Sequence, residues 1–208
     1  MPKESLASLP RPLDVRRLRW LHHYQAWSPK LKRRISLYSR PSVSVWALIE
    51  ASPDIISFCE RPGHVLIKDE RVLADFWVEK AEQNQYFILP GTPKLNVLDD
   101  PGGLLDPLPL LDITQDWLLE RNQLIANWMR ILPLVTSCLP LLTTTLLDQV
   151  LARLSQPMRL IDVERALLPE DPMLTRAAVF DLLRRGHLVA EKLASVPLTG
   201  AMQIVRAP

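Results

Sequence analysis

Prolines limit where this chain of 208 residues can form helices and strands, because it contains 19 of them. Proline lacks an amide hydrogen and its ring clashes with the preceding helical turn, so it ends or prevents regular structure. Residues 90–109 hold five prolines and three glycines, and we predict a loop there. Pro133 and Pro140 mark a second break, and we therefore divide the chain near residue 143.

Before this junction the apolar pattern indicates an α/β fold, a β-rich sheet with flanking helices. One helix is predicted over residues 44–51, ended by Pro53, and another over residues 116–131, whose apolar residues share one stripe. Residues 1–30 are predicted to be irregular. Strands are predicted over residues 33–38, 55–60, 64–68, 71–79, 85–89 and 110–114.

After the junction the pattern predicts three helices and then two strands, which is the order of a winged-helix domain. The helices are expected over residues 145–154, 162–167 and 172–185, and the strands over residues 187–193 and 202–206. Asp162 is the expected cap of the second helix, while Asp171 and Gly186 delimit the third. The third helix of such a domain often enters the DNA major groove. Its DNA-binding candidates are Arg176, Arg184 and Arg185, with Thr175 beside them.

The near-neutral charge of residues 144–208 favours protein docking slightly over DNA binding. This region has eight Lys/Arg against seven Asp/Glu, a weak electrostatic signature for DNA. We expect it to fold by itself and to present the loop 194–200. Val196, Pro197 and Leu198 in that loop form a candidate partner-binding patch, because exposed apolar loop tips often mark interaction sites.

The first 40 residues carry most of the positive charge. They contain ten Lys/Arg and two Asp/Glu, a net of +8, so the other 168 residues sum to −6. Lys30, Lys32, Arg33 and Arg34 place four cations within five residues, among aromatic side chains. Such a segment can neutralise phosphates and stack on bases, so we predict DNA contact there. The alternative is a solvated arm whose tryptophans dock on the protein's own core.

Several classes of protein are not indicated. Two cysteines make neither a disulfide framework nor a zinc site, and we expect Cys59 and Cys138 to be buried, in a cytoplasmic protein. The four histidines lack a ligand spacing, and no phosphate-binding loop or hydrolase motif occurs. No apolar run reaches the length of a membrane helix. The tryptophans at positions 46, 77, 117 and 128 are expected in the core.

Residues 42–91 resemble the N-terminal domain of TnsA-type endonucleases, the subunits of heteromeric transposases that nick transposon ends. Residues 48–62, LIEASPDIISFCERP, are similar to the family pattern LExxPxVxxFxEQP, and Ala74-Asp75-Phe76 is similar to its PDF strand. Residues 110–128, with Asn127, resemble a later strand and helix. The resemblance implies a restriction-endonuclease-like mixed β-sheet flanked by helices, followed by a winged-helix domain that docks on a partner ATPase.

The active-site residues of that family are only partly present. The resemblance implies that Asp75 is a catalytic carboxylate, but the family's helical Glu falls at or near Ser42, and its last Glu and Lys fall at Leu89 and Gly91. One carboxylate without a Lys is a poor Mg²⁺ site, so we expect an inactive nuclease fold that needs no cofactor. Mg²⁺ is expected only if displaced groups rebuild the site around Asp75. Those candidates are Glu50, Glu60, Lys80 and Lys94, although Glu50 is also interpretable as a solvated or capping carboxylate.

The expected organisation is a basic arm (1–40), a restriction-endonuclease-like domain (41–143) and a winged-helix domain (144–208). The favoured hypothesis is a TnsA-like subunit that binds transposon-end DNA, a transposase and an AAA+ ATPase, with no membrane contact. Two alternatives remain open. One is an active Mg²⁺ endonuclease that nicks transposon ends with a rearranged site around Asp75, and the other is a winged-helix DNA-binding regulator.

Overall fold

A computed structural model describes residues 10–14, 22–91 and 104–208 of the chain. These residues form a mixed α/β structure with several small sheets and helices. The strands are β1 (Tyr24–Ser28), β2 (Arg33–Leu37), β3 (Ile55–Glu60), β4 (His64–Ile67), β5 (Glu70–Leu73), β6 (Phe76–Lys80), β7 (Gln85–Ile88), β8 (Leu110–Asp112), β9 (Met158–Arg159), β10 (Leu188–Val189) and β11 (Gln203–Arg206). The helices are α1 (Arg40–Ala51), α2 (Gln115–Glu120), α3 (Asn122–Cys138), α4 (Thr144–Arg153), α5 (Leu160–Ala166) and α6 (Pro172–Arg184).

The largest sheet has the strand order β3-β6-β7-β8. Strands β3, β6 and β7 are antiparallel, and β8 joins β7 in parallel. Successive side chains of a strand point to opposite faces, so the sheet contributes to two apolar clusters. Phe58, Phe76 and Phe87 belong to the main core, whereas Trp77 and Tyr86 belong to a smaller cluster. The hairpin β4–β5 contributes to that smaller cluster.

Helix α1 begins at a capping box and ends before a proline. Ser39 accepts the amide of Ser42, and the Ser42 hydroxyl lies 3.2 Å from the Ser39 amide nitrogen. These bonds satisfy amides that have no partner inside the helix. The helix stops at Ala51, just ahead of Pro53, as the sequence predicts.

The helix predicted over residues 116–131 is two helices, and the second continues past Pro133. Arg121 separates α2 from α3, which runs to Cys138. Pro133 is tolerated because it lies on the exposed side, while neighbouring Leu132 and Val135 are buried in the core. The stretch Asn122–Leu141 is also long and apolar enough to cross a membrane, but α3 packs against α1 and α6 as a core helix does.

The C-terminal elements follow the predicted order, with one addition. Helices α4, α5 and α6 precede β10 and β11, and the short strand β9, which was not predicted, completes a sheet ordered β10-β11-β9. Asp171 caps α6 by accepting the Met173 amide at 2.7 Å, and Gly186 follows the helix with φ +78°. The predicted cap at Asp162 is wrong. Helix α5 begins at Leu160, so Asp162 lies inside its first turn, where it pairs with Arg159 just before the helix.

Three strand predictions need correction. Residues 71–79 belong to two strands, because Ala74 and Asp75 lie between β5 and β6 and are in neither. Strand β1 lies within the region predicted to be irregular. Only Leu188–Val189 of residues 187–193 is a strand, and Glu191–Ala194 is a 3₁₀ turn.

One continuous apolar core connects elements from both halves of the chain. It includes Ile35 of the β1–β2 hairpin, Ile49 of α1, Ile131 of α3, Phe180 of α6 and Ile204 of β11. Helix α6 packs against α3, α4, α5 and α1. The segment predicted as an arm therefore contains a hairpin that packs on the core, and residues 144–208 share their core with the rest.

Most of the buried residues expected from the sequence are buried. The buried set comprises Cys59, Cys138, Trp46, Trp77 and Trp128. Burial raises the pKa of the Cys59 thiol to about 12. Trp117 is only half-buried, and the guanidinium carbon of Arg121 lies 4.1 Å from its ring centre.

Candidate functional site

Asp75 lies where β6 begins and is fixed on both sides by neighbouring strands. Its amide donates to the carbonyl of Phe87 at 3.0 Å, and its own carbonyl accepts the amide of Arg61 at 2.9 Å. The carboxylate oxygen Oδ2 accepts the amide of Leu89 at 2.8 Å. Asp75 is buried, with 8% of its surface exposed. Its carboxylate therefore contacts the position at which the resemblance places a second acidic ligand.

The other positions implied by the resemblance hold no metal ligand. Leu89 packs in the main core, and Gly91 is exposed in a left-handed turn with φ +63°. Ser42 is buried in the capping box of α1. Mg²⁺ requires several oxygen ligands in octahedral geometry. The residues at these positions do not fit such an ion.

Glu50 is fully buried, which corrects its interpretation as a solvated or capping carboxylate. It accepts hydrogen bonds from the hydroxyl of Ser28, from the amide of Lys30 at 3.2 Å and from the indole of Trp46 at 3.2 Å. Burial raises the pKa of the Glu50 carboxyl, although the bonds from Ser28 and Lys30 and the charge of Arg184 oppose the shift. Glu50 thus attaches the β1–β2 hairpin to α1, and its carboxylate is engaged by three donors of the protein itself.

Glu60 is also committed to an internal contact. Arg33 donates two hydrogen bonds to its two carboxylate oxygens, at 2.7 and 2.6 Å. Only 3% of the Glu60 side chain is exposed, and the hydrogen bond to Glu60 raises the pKa of Arg33. Among the other displaced candidates, Lys80 pairs with Asp54 at 3.5 Å, and Lys94 lies outside the described residues.

The four cations of residues 30–34 divide into two pairs. The Lys30 ammonium donates to the carbonyls of Ser52 and Ile55 at 2.9 and 2.6 Å, and burial lowers its pKa to about 8. Arg33 binds Glu60 as described. Lys32 and Arg34 are exposed, and no acidic residue in the described part of the chain forms an ion pair with either. Phosphate contact therefore stays a prediction for Lys32 and Arg34, the two cations of this cluster that are exposed.

The arginines of α6 are paired within the protein. Arg176 makes a two-bond contact with Glu164 at 2.6 and 3.0 Å. Asp181 is fully buried and pairs with both Arg184 and Arg185. Arg184 is itself buried, as is Thr175. This placement corrects the expectation for Thr175 and Arg184, which are buried. The side chains of Arg176 and Arg185 are 42% and 44% exposed, so DNA contact through these two stays a prediction.

Two residues of α3 hold the loop 194–200: the exposed Arg130, which donates to the carbonyl of Leu198 at 3.1 Å, and the buried Asn127. Asn127 of α3 donates to the carbonyls of Leu193 and Val196 at 2.7 and 2.8 Å, and its oxygen accepts the amide of Leu198 at 2.9 Å. Leu198 packs against the core, whereas Val196 and Pro197 are exposed. Sequence reasoning missed this role, although an Asn within the apolar stripe of a helix is a signal, because a buried amide requires partners.

Arg61 is a second functional group that the sequence did not single out. It is buried, and it donates to the carbonyls of Leu13 and Ser36. Its guanidinium carbon lies 5.1 Å from the ring centre of Tyr38, and burial lowers its pKa. Arg61 thereby attaches residues 10–14 and β2 to the end of β3.

Comparison with known proteins gives no assignment. No protein-family model matches the chain, and no curated protein matches it. The geometry around Asp75 and the exposed face of the hairpin must therefore carry the functional argument.

Proposed function

We propose that this chain is a TnsA-like subunit of a heteromeric DNA transposition complex, working in the cytoplasm, in which a nuclease fold binds DNA but no longer cuts it. The observation that carries the proposal is the hydrogen bond from the Leu89 amide to the Asp75 carboxylate. It joins the one catalytic carboxylate that the resemblance implies is retained to the strand end where the resemblance implies a second acid and this chain has Leu89. This contact supports a nuclease fold that has lost its metal ligands.

The sheet supports a restriction-endonuclease-like domain. Three antiparallel strands, a parallel fourth strand and a helix packed on the first strand agree with a mixed sheet flanked by helices. The order α4, β9, α5, α6, β10, β11 and the sheet order β10-β11-β9 likewise support a winged-helix unit. The shared core supports treating the two as one assembly.

The loss of chemistry follows from the missing charges. A metal ion stabilises the charge that develops on a transferring phosphoryl group, and this requires ligands that hold the ion in place. Leu89 and Ser42 cannot serve, and Glu50 and Glu60 are occupied by donors of their own. This disfavours the rearranged endonuclease. The internal pairing of Arg176 and Arg184 disfavours a winged-helix regulator that reads DNA through α6.

Two surfaces would then do the binding. The exposed Lys32 and Arg34 supply phosphate contacts to the transposon end, and the loop carrying Val196 and Pro197 supplies the contact with the transposase or ATPase. Asn127 fixes the backbone of that loop, so its exposed residues are presented in one conformation.

The test is reconstitution with transposon-end DNA, a transposase and an AAA+ ATPase, taken from the neighbouring genes where these encode them. We expect a complex that retains the DNA end and no strand cleavage by the purified chain with Mg²⁺ or Mn²⁺. Asp75→Ala is the matched variant. Metal-dependent nicking that disappears in Asp75→Ala would establish the active endonuclease instead, and the absence of any binding to DNA ends and partners would refute the proposed role.

A further inference from the structure

The outer face of the β1–β2 hairpin combines an exposed indole with unpaired cations. Trp27 is 42% exposed, and the strand register places Arg34 directly opposite it. Directly opposed residues of an antiparallel pair lie on the same face with their Cβ atoms about 5 Å apart. Lys32 lies in the turn between the strands. An indole has an apolar face and an N–H donor, so Trp27 can both stack on a ligand and donate a hydrogen bond to it.

A groove of about 300 Å³ runs beside Trp27, between β1 and α3. This volume lies at the lower end of the range for small-molecule sites. Met129, which is 39% exposed, and Pro133 line it from α3. Because Pro133 has no amide hydrogen, the carbonyl of Met129 lacks its usual helical donor.

Polar groups complete the lining of this groove. Gln25, Thr136 and Ser137 contribute an amide and two hydroxyls. None of these three side chains makes a hydrogen bond to another residue in the described part of the chain. The groove therefore offers a flat apolar surface together with donors and acceptors, which matches the face and the edge of a nucleobase.

The charge of the hairpin selects the ligand. Residues 22–40 contain five Lys/Arg and no Asp or Glu, and Lys32 and Arg34 remain unpaired by any described acid. Proteins that bind single strands without sequence preference stack the bases on aromatic side chains and place cations beside the phosphates. A base inside a duplex is already stacked on its neighbours, so an indole can reach its face only where the strand is unpaired.

We infer that this groove binds an unpaired nucleotide of a DNA strand, with the base stacked on Trp27 and the phosphate held by Arg34 and Lys32. The inference deepens the proposed function, because it places single-stranded DNA at a transposon end on the hairpin. The binding itself can be tested without assuming that function.

The test uses the full chain and a fluorescently labelled single strand of about 12 nucleotides, within the length that one such surface spans. Anisotropy gives the dissociation constant at several salt concentrations. We expect Trp27→Ala to weaken binding about 5- to 100-fold, the range associated with loss of one base-stacking contact, and Trp27→Phe to retain most of it. Arg34→Ala should make the slope of log affinity against log salt shallower by up to ~0.7.

Arg153→Ala is the matched control, because Arg153 is an exposed arginine on α4 outside this groove. It should leave both the affinity and the salt slope unchanged. Far-ultraviolet circular dichroism verifies that each variant is folded. Equal affinity of Trp27→Ala and the unmodified chain would overturn the inference.

A second arm separates this inference from the proposed function. Binding of transposon-end duplex and partners without binding of the single strand would refute the groove assignment alone. Trp27-dependent binding of the single strand without any binding of transposon ends or partners would support the groove and refute the proposed function.

Discussion

Replacing Asn127 by alanine tests how the loop 194–200 is held in place. Asn127 is 1% exposed and makes three hydrogen bonds here, to Val196 and Leu198 of the loop and to Leu193 just before it. Alanine removes all three, and with them the bond from the Gln123 side-chain amide. Leu193 is buried, so its carbonyl is left without a partner away from water. This lost bond accounts for the larger share of the expected destabilisation.

The expected loss is about 3 kcal/mol. An unsatisfied buried group costs about 1–3 kcal/mol, and each of the two part-buried bonds contributes about 0.5–1.5 kcal/mol, with incomplete additivity. For a chain of this size, 1 kcal/mol corresponds to about 2–4 °C in melting temperature, so we expect a decrease of about 6–12 °C.

Urea denaturation and thermal melting followed by circular dichroism measure this loss. Asn122→Ala is the control, because Asn122 is an exposed asparagine on the same helix and should change stability by about 0.5 kcal/mol or less. Partner binding through Val196 and Pro197 should weaken in Asn127→Ala at a temperature where the protein is still folded. A destabilisation below about 1 kcal/mol would refute the reasoning, since it would show that water replaces the amide.

Three further outcomes are expected. Arg33→Ala should destabilise the fold by about 2 kcal/mol or more in urea denaturation, because it leaves Glu60 buried without its partner, whereas Arg34→Ala should be nearly neutral; equal effects would contradict the division of the two arginines. The free energy of unfolding of the unmodified chain, measured relative to that of Lys30→Met, should rise between pH 8 and 10.5. In this range the unfolded state binds more protons than the folded state, in which the pKa of Lys30 is about 8. A difference that stays flat or falls with pH would show that Lys30 is solvated. Asp75→Ala should lower stability by about 1–3 kcal/mol, because the Leu89 amide loses its acceptor, and should leave DNA affinity unchanged in the same anisotropy assay; a large loss of affinity would place Asp75 in the DNA-binding surface.

The elements that were predictable from sequence carry local signals. Helix α6 is delimited by Asp171 and Gly186, which cap its two ends, and α1 stops ahead of Pro53. Such signals depend on a few neighbouring residues and survive in any tertiary context. Strand β1 was missed because its stability comes from pairing with β2 and not from its own pattern.

The roles of the charged residues could not be predicted in the same way. Arg33 and Glu60 are 27 residues apart in sequence, and Lys30 reaches the carbonyl of Ser52, 22 residues away. Composition reports how many cations a segment has, but the fold decides which of them meet an acid or a carbonyl. Asp75 was singled out only through the resemblance, because no local sequence signal shows that an aspartate will be buried and will accept the amide of Leu89.

The division of the basic cluster nevertheless follows from the alternation of a strand. Ile35 and Leu37 are buried, so Arg33, two residues earlier, shares their inward face and requires a carboxylate, while Arg34 shares the outward face with Ser36. Only the outward cations remain for phosphates. Lys32 and Arg34 can account for a salt slope of at most ~1.8 on duplex DNA, against the ~3.6 that counting all four cations would give. Lys30 and Arg33 therefore stabilise the fold, whereas Lys32 and Arg34 face solvent. Of these two, Arg34 lies directly opposite Trp27.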